Sequence, residues 1–166
     1  MKRVILWTCG IACFISIFQT AVLSHLKWIP AFPDFLLLLI IYVACHNGAV
    51  TGVLIGFLSG LLLDFLSISP FGLHAFVFTV LGFVYGKLYG KYNTKAFFFS
   101  LIFGFTGMIL KAFLLFLLRF LFGTTVQVYD LFSVLFLIEL LLTTVFAPAL
   151  FWALQFFPSA FENKGV

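Results

Sequence analysis

Long apolar runs separated by short polar stretches set the pattern of this chain. About 20 apolar residues in a helix cover the roughly 30 Å hydrocarbon core of a bilayer. Six runs meet or approach that length: Val4 to Leu23, Asp34 to His46, Ala49 to Ser67, Leu73 to Tyr92, Ala96 to Phe122 and Leu131 to Phe157. The second is short. The breaks carry turn and interface residues: "SHLKWIPAFP", "HNG", "SISPFG", "KYNTK" and "GTTVQVYD". None exceeds about ten residues, so no soluble domain fits between the runs. Lipid offers backbone groups no partners, so only helices or a closed barrel cross it. Continuous apolar runs lack the alternation of a barrel strand. The pattern predicts an all-α integral membrane protein: a six-transmembrane-helix bundle forming a single polytopic domain over residues 1–166.

The first run follows Lys2 and Arg3, as the apolar part of a signal peptide would. It has no convincing small-x-small cleavage site and is followed by further spans, so an uncleaved first helix is expected.

Composition supports this reading. Of 166 residues, 64% are apolar and 8% charged, against about 45–50% and about 25% in soluble domains. Mean hydropathy is +1.28. A soluble enzyme or a nucleic-acid-binding domain is excluded, and no basic run invites nucleic acid as a partner. Cys9, Cys13 and Cys45 all lie in apolar runs and are odd in number, so they read as packing residues rather than a disulfide scaffold.

Charge placement gives an orientation. With the N-terminus in the cytoplasm, six spans place Lys2, Arg3, Lys87, Lys91, Lys95 and Lys164 inside and Lys27 and Arg119 outside. Six against two obeys the positive-inside rule, and the reverse orientation violates it. Trp28 and Tyr129 then fall at the outer interface and Tyr92 at the inner one. The expected location is the bacterial cytoplasmic membrane, with both termini cytoplasmic.

Glycines recur every four residues at Gly48, Gly52, Gly56 and Gly60 in the third run, and at Gly82, Gly86 and Gly90 in the fourth. Small residues let membrane helices approach closely. For a hairpin turning at Ser69, residues whose numbers sum to 138 face each other: Gly48 with Gly90, Gly52 with Gly86, Gly56 with Gly82, and Asp64 with His74. Alternatively, the glycines seat bulky Phe side chains or a partner's helix. Asp64 reads either as an anchor bonded to the "SISPFG" turn or as a polar contact at a partner site.

Lys111 and Glu139 are the charges deepest in the predicted spans. Their spans are sequential and antiparallel, which puts both at matching depth, and an ion pair makes both tolerable there. An ionisable residue inside a membrane is a functional candidate by default; a structural clamp is the plainer reading. Catalytic motifs are weak. "GFLSG" places Ser59 three residues after Gly56, not two, and offers it no base. His25, His46 and His74 fall at span ends on both sides and cannot share a metal. No cofactor, metal or catalysis is expected.

Pro33 and Asp34 open the second span, glycines 52, 56 and 60 and Asp64 follow, and then Ser69-Pro70-Phe71-Gly72-Leu73. Over about Ala31 to Leu88 this resembles the MreD family of bacterial rod-shape-determining membrane proteins. The family's P-x-G-x-N-A string carries Asn where this chain has His74. The resemblance implies a non-catalytic scaffold of the cell-elongation machinery that binds MreC, a bitopic membrane protein. It further implies links to the MreB cytoskeleton, to a RodA-type glycosyltransferase and to its transpeptidase. Pro33, Asp34, Asp64, Pro70, Gly72 and His74 are the residues it marks for partner binding or structure. The implied fold is similar to the substrate-binding component of energy-coupling-factor vitamin transporters. That similarity supplies a rival function, a vitamin-binding transporter component, for which the outer ends offer Asp64, His74, Arg119, Thr124, Gln127 and Asp130. A third reading is a lipid-binding protein with Lys111 and Glu139 in a groove. Membrane lipids and a second copy of the chain are further candidate partners.

Overall fold

The computed structural model describes residues 2–23, 31–67, 70–91, 97–122 and 133–156. His25, Lys27, Trp28, Ser69, Tyr92, Lys95, Thr124, Gln127, Tyr129, Asp130 and Lys164 lie outside them. Six helices occupy the six apolar runs: α1 (Lys2–Leu23), α2 (Phe35–Asn47), α3 (Ala49–Leu66), α4 (Leu73–Gly86), α5 (Phe97–Phe122) and α6 (Val134–Gln155). Four of them, α1, α3, α5 and α6, are long and apolar enough to cross a membrane.

The other two correct the expectation of six full spans. With 13 and 14 residues, α2 and α4 extend about 20 Å and 21 Å at 1.5 Å per residue. Helix α4 stops at Gly86 instead of reaching Tyr92. Beyond it the chain tightens into i→i+3 bonds, from Leu88 N to Tyr85 O and from Lys91 N to Leu88 O, and turns at Gly90 with φ +71°.

Helix α2 is the centre of the bundle. Its residues from Leu36 to Ala44 are wholly buried on every side. A helix that is apolar all round has no face to give to solvent and is enclosed by others. At its far end Gly48, with φ +86°, reverses the chain into α3 with a single residue between helices, a conformation only glycine adopts freely. Helix α5 runs antiparallel to α2, with Gly107 seating the Ile41 side chain and Gly104 touching Leu38. Helix α6 runs antiparallel to α5, its Ala147 packed on Gly104. Helix α1 buries one narrow stripe, Val4, Thr8, Ala12 and Ser16, spaced by four. The outer surface is apolar: Leu6 is 75%, Phe14 71% and Phe120 83% exposed. Water would not tolerate so large an apolar surface, whereas lipid does.

Helices α3 and α4 pack backbone to backbone. A Cβ at Gly52 would collide with Gly82, at Gly56 with Phe78, at Gly60 with His74 and Ala75, and at Gly86 with Ala49. Facing residue numbers therefore sum to 134 or 135, not 138. The seam is real, but it sits one helical turn from the expected register. Gly52 faces Gly82 rather than Gly86, Gly56 faces Phe78 rather than Gly82, and Gly90 has nothing within 4 Å of a built Cβ. The cause is Asp64. A helical side chain leans toward the N-terminus of its own helix. The carboxylate that gathers the first turn of α4 therefore lies below its own Cα and draws α4 deeper along α3.

Candidate functional site

Among the described residues, the buried Asp, Glu and Lys side chains of α2 to α6 come together towards the bundle end that holds the α3–α4 turn. They form two groups that the backbone builds in different ways.

The first group is the hairpin tip. In a helix the first four N–H groups have no intrahelical acceptor, and in a low-dielectric setting they must find one. Gly72, the N-cap of α4, has no side chain to serve and adopts φ +93°. Asp64 of α3 serves instead. Its Oδ2 accepts from Gly72 N at 3.0 Å and Ala75 N at 3.1 Å, and its Oδ1 from His74 N at 3.0 Å. His74 Nδ1 adds a fourth contact, 2.8 Å from Oδ1. A carboxylate only accepts, so Nδ1 carries the proton. The Asp64 side chain is fully buried, and its charge is met by three N–H groups and the positive end of α4. This network fixes the tip, which presents Phe65 and Phe71, 69% and 66% exposed, as an edge-to-face pair 4.9 Å apart. Pro70 lies exposed beside them.

The second group lies deeper. Asp34 caps α2, its Oδ1 accepting from Leu37 N at 2.9 Å. Its Oδ2 takes a 2.6 Å hydrogen bond from Lys111 Nζ. Its backbone N–H donates to Thr143 Oγ1 of α6 at 3.0 Å. Pro33 is buried, and its carbonyl accepts from Gln19 Nε2 of α1 at 2.9 Å and from Phe35 N at 3.0 Å. Glu139 Oε1 lies 3.7 Å from Lys111 Nζ. Lys111 and Glu139 are thus neighbours, and Lys111 also bonds Asp34, which the sequence reading placed only at the opening of the second span. The second run was read as short, but the consequence for Asp34 was not drawn. A 13-residue helix cannot reach both surfaces, so its capping residue sits inside. Lys111 is eleven residues before the end of α5, about 17 Å along its axis, and Asp34 lies at that depth.

Other candidates fall elsewhere. Ser59 Oγ is buried on α3 and makes no hydrogen bond among the described residues. His46 Nδ1 lies 2.8 Å from Tyr42 O at the opposite end. Among the described residues no three of His, Cys, Asp and Glu gather into a metal site.

Apolar helices around a buried charged cluster, with a lipid-compatible surface, define a polytopic helical membrane protein. The family model for rod shape-determining protein MreD matches residues 1–157 of the chain. The chain belongs to the MreD family, whose role is rod-shape determination. No curated protein and no solved structure matches it.

Proposed function

We propose that this protein is a non-catalytic scaffold of the bacterial elongation machinery that holds MreC at the α3–α4 tip. Through that contact it connects to MreB and the peptidoglycan synthases. In this reading both termini are cytoplasmic and the tip faces outward, which the charge asymmetry supports. The observation that carries the reading is the tip itself. A buried carboxylate with four contacts gathers the start of α4 beside the exposed Phe65–Phe71 pair. A preformed apolar projection loses little conformational freedom on docking.

The lipid-binding reading needs Lys111 and Glu139 in an open groove. They are 6% and 9% exposed, and a lateral groove of about 330 Å³, lined by Phe97, Ser100, Pro148 and Trp152 among others, lies at the other end of α5 and α6. The scaffold reading is the better supported. It is tested by co-purifying MreC from membranes with wild type, Phe71→Ala and Asp64→Ala. Both variants should retain less MreC at equal levels of this protein, and cells depending on them should round up. Undiminished MreC with both variants would refute the tip as the docking point. Loss of uptake of a vitamin with MreC binding intact would transfer the protein to the transporter class.

A further inference from the structure

We propose that the lateral groove between α5 and α6 binds one acyl chain of an anionic phospholipid, in the leaflet at that end of the bundle. The groove has a volume of about 330 Å³ and lies between the first turn of α5 and the second half of α6. Small residues open it: Ser100 on α5 and Pro148 and Ala149 on α6 stand among the larger Phe97, Val145 and Trp152. Its rim belongs to the apolar outer surface, with Phe97 69% and Trp152 64% exposed. The site is at the opposite end of the bundle from the hairpin tip and goes beyond the scaffold reading without depending on it.

Length, volume, polarity and charge select this occupant. Val145 is ten residues from Gln155, about 15 Å along α6, and half of a hydrocarbon core about 30 Å thick is the depth of one leaflet. Over that length an acyl chain, its carbons packing at about 4 Å, fills roughly 200–300 Å³, close to the volume present. A partner's helix about 10 Å across would need about 1,200 Å³ over the same length. The Ser100 hydroxyl, the Trp152 indole and the Gln155 amide lie toward the helix ends, and Val145, Pro148 and Ala149 lie deeper. That order matches a lipid whose polar end stays at the interface, where Trp is favoured, while its chain runs inward. The groove's end of the bundle is basic. Gln19, late in α1, bonds Pro33 just before α2, so the start of α1 lies at the groove's end. Exposed Arg3 is there, with exposed Lys87 and Lys91 at and beyond the end of α4. The described acids Asp34, Asp64 and Glu139 all lie toward the other end. Basic residues near a membrane surface attract anionic headgroups.

The test uses the full-length protein in phosphatidylcholine vesicles, with Trp7→Phe and Trp28→Phe leaving Trp152 as the single tryptophan. Phosphatidylglycerol brominated on its acyl chains, which quenches indole fluorescence on contact, is added in increasing mole fraction. Quenching should saturate, at a mole fraction about fivefold lower than with brominated phosphatidylcholine, the factor expected from about one basic residue acting on the headgroup. Excess unlabelled phosphatidylglycerol should reverse it. Ala149→Phe fills the groove from an exposed wall position and should turn the saturating curve into simple proportion. Leu141→Phe, 61% exposed on the same helix but away from the groove, should leave it saturating. Proportional quenching without Ala149→Phe overturns the proposal even if that variant does not fold, and saturation that Ala149→Phe leaves unchanged overturns the site. Equal half-saturation with brominated phosphatidylcholine overturns the choice of an anionic lipid. Proportional quenching together with loss of MreC co-purification in Ala149→Phe would assign the groove to a protein instead.

Discussion

Gly56→Ala perturbs the α3–α4 seam at a backbone-to-backbone contact. A Cβ there would lie 2.6 Å from Phe78 C and 3.1 Å from Thr79 N, with the Phe78 carbonyl oxygen nearer still. Carbon atoms rest at about 3.5–4.0 Å, so the helices must part by about 1 Å. All of these atoms are backbone, so no side chain can swing away. The separation propagates to Gly52 against Gly82 and Gly86 against Ala49, where contact is equally close. Overpacking of this kind costs about 1–3 kcal/mol. Against it stands the gain from replacing Gly within a helix, about 0.5–1 kcal/mol. At the midpoints of these ranges the net is a loss of about 1 kcal/mol for Gly56→Ala, and more for Gly56→Leu. Gly10 is the control, because nothing lies within 4 Å of a Cβ there. Gly10→Ala should therefore keep only the gain, about 0.5–1 kcal/mol. Equilibrium unfolding in mixed detergent micelles, followed by circular dichroism, gives both values. Opposite signs are expected. Equal stability of Gly56→Ala and wild type, or equal losses in the two variants, would refute a backbone-contact seam.

Lys111→Met should cost about 3–5 kcal/mol by stranding the Asp34 charge, and Lys111→Met with Asp34→Asn should recover much of it; additive losses by the same unfolding assay would mean the two residues do not act as a pair. Single cysteines at Pro70 and Asn93, in a cysteine-free background, should differ in intact cells: a membrane-impermeant thiol reagent should label position 70 and spare 93, and the reverse would invert the orientation. Gly104→Leu should destabilise through Ala147, whose Cβ would lie 2.8 Å from the first added carbon, with thermal inactivation in detergent as the readout.

Span positions were legible because lipid leaves the backbone one solution, and each apolar run became a helix. Helix α2 shows where that legibility stops. Its continuous apolar run announced burial, but its length carried the more useful message, that Asp34 lies inside the bundle. The α3–α4 register was ambiguous for a geometric reason. Glycines spaced by four present the same face after every shift of four residues, so periodicity alone cannot separate a sum of 134 from 138. Asp64 breaks the tie by gathering Gly72, His74 and Ala75, which required knowing where its carboxylate leans. Gly104 and Gly107 escaped notice because neither belongs to a run with spacing four, although both seat side chains of neighbouring helices. The Asp34–Lys111 bond joins residues 77 positions apart, and no local pattern encodes such a contact.

The role of the hairpin tip is tested most directly by site-specific photocrosslinking in growing cells. A photoreactive amino acid is placed at Phe71, on the tip and 66% exposed, or at Phe113, on the outer face of α5 and 56% exposed. Both positions are accessible, so they differ in location rather than in reach. A covalent adduct with MreC from position 71 and none from 113 is expected. An adduct from 113 alone, or none from either position while MreC still co-purifies, would contradict docking at the tip.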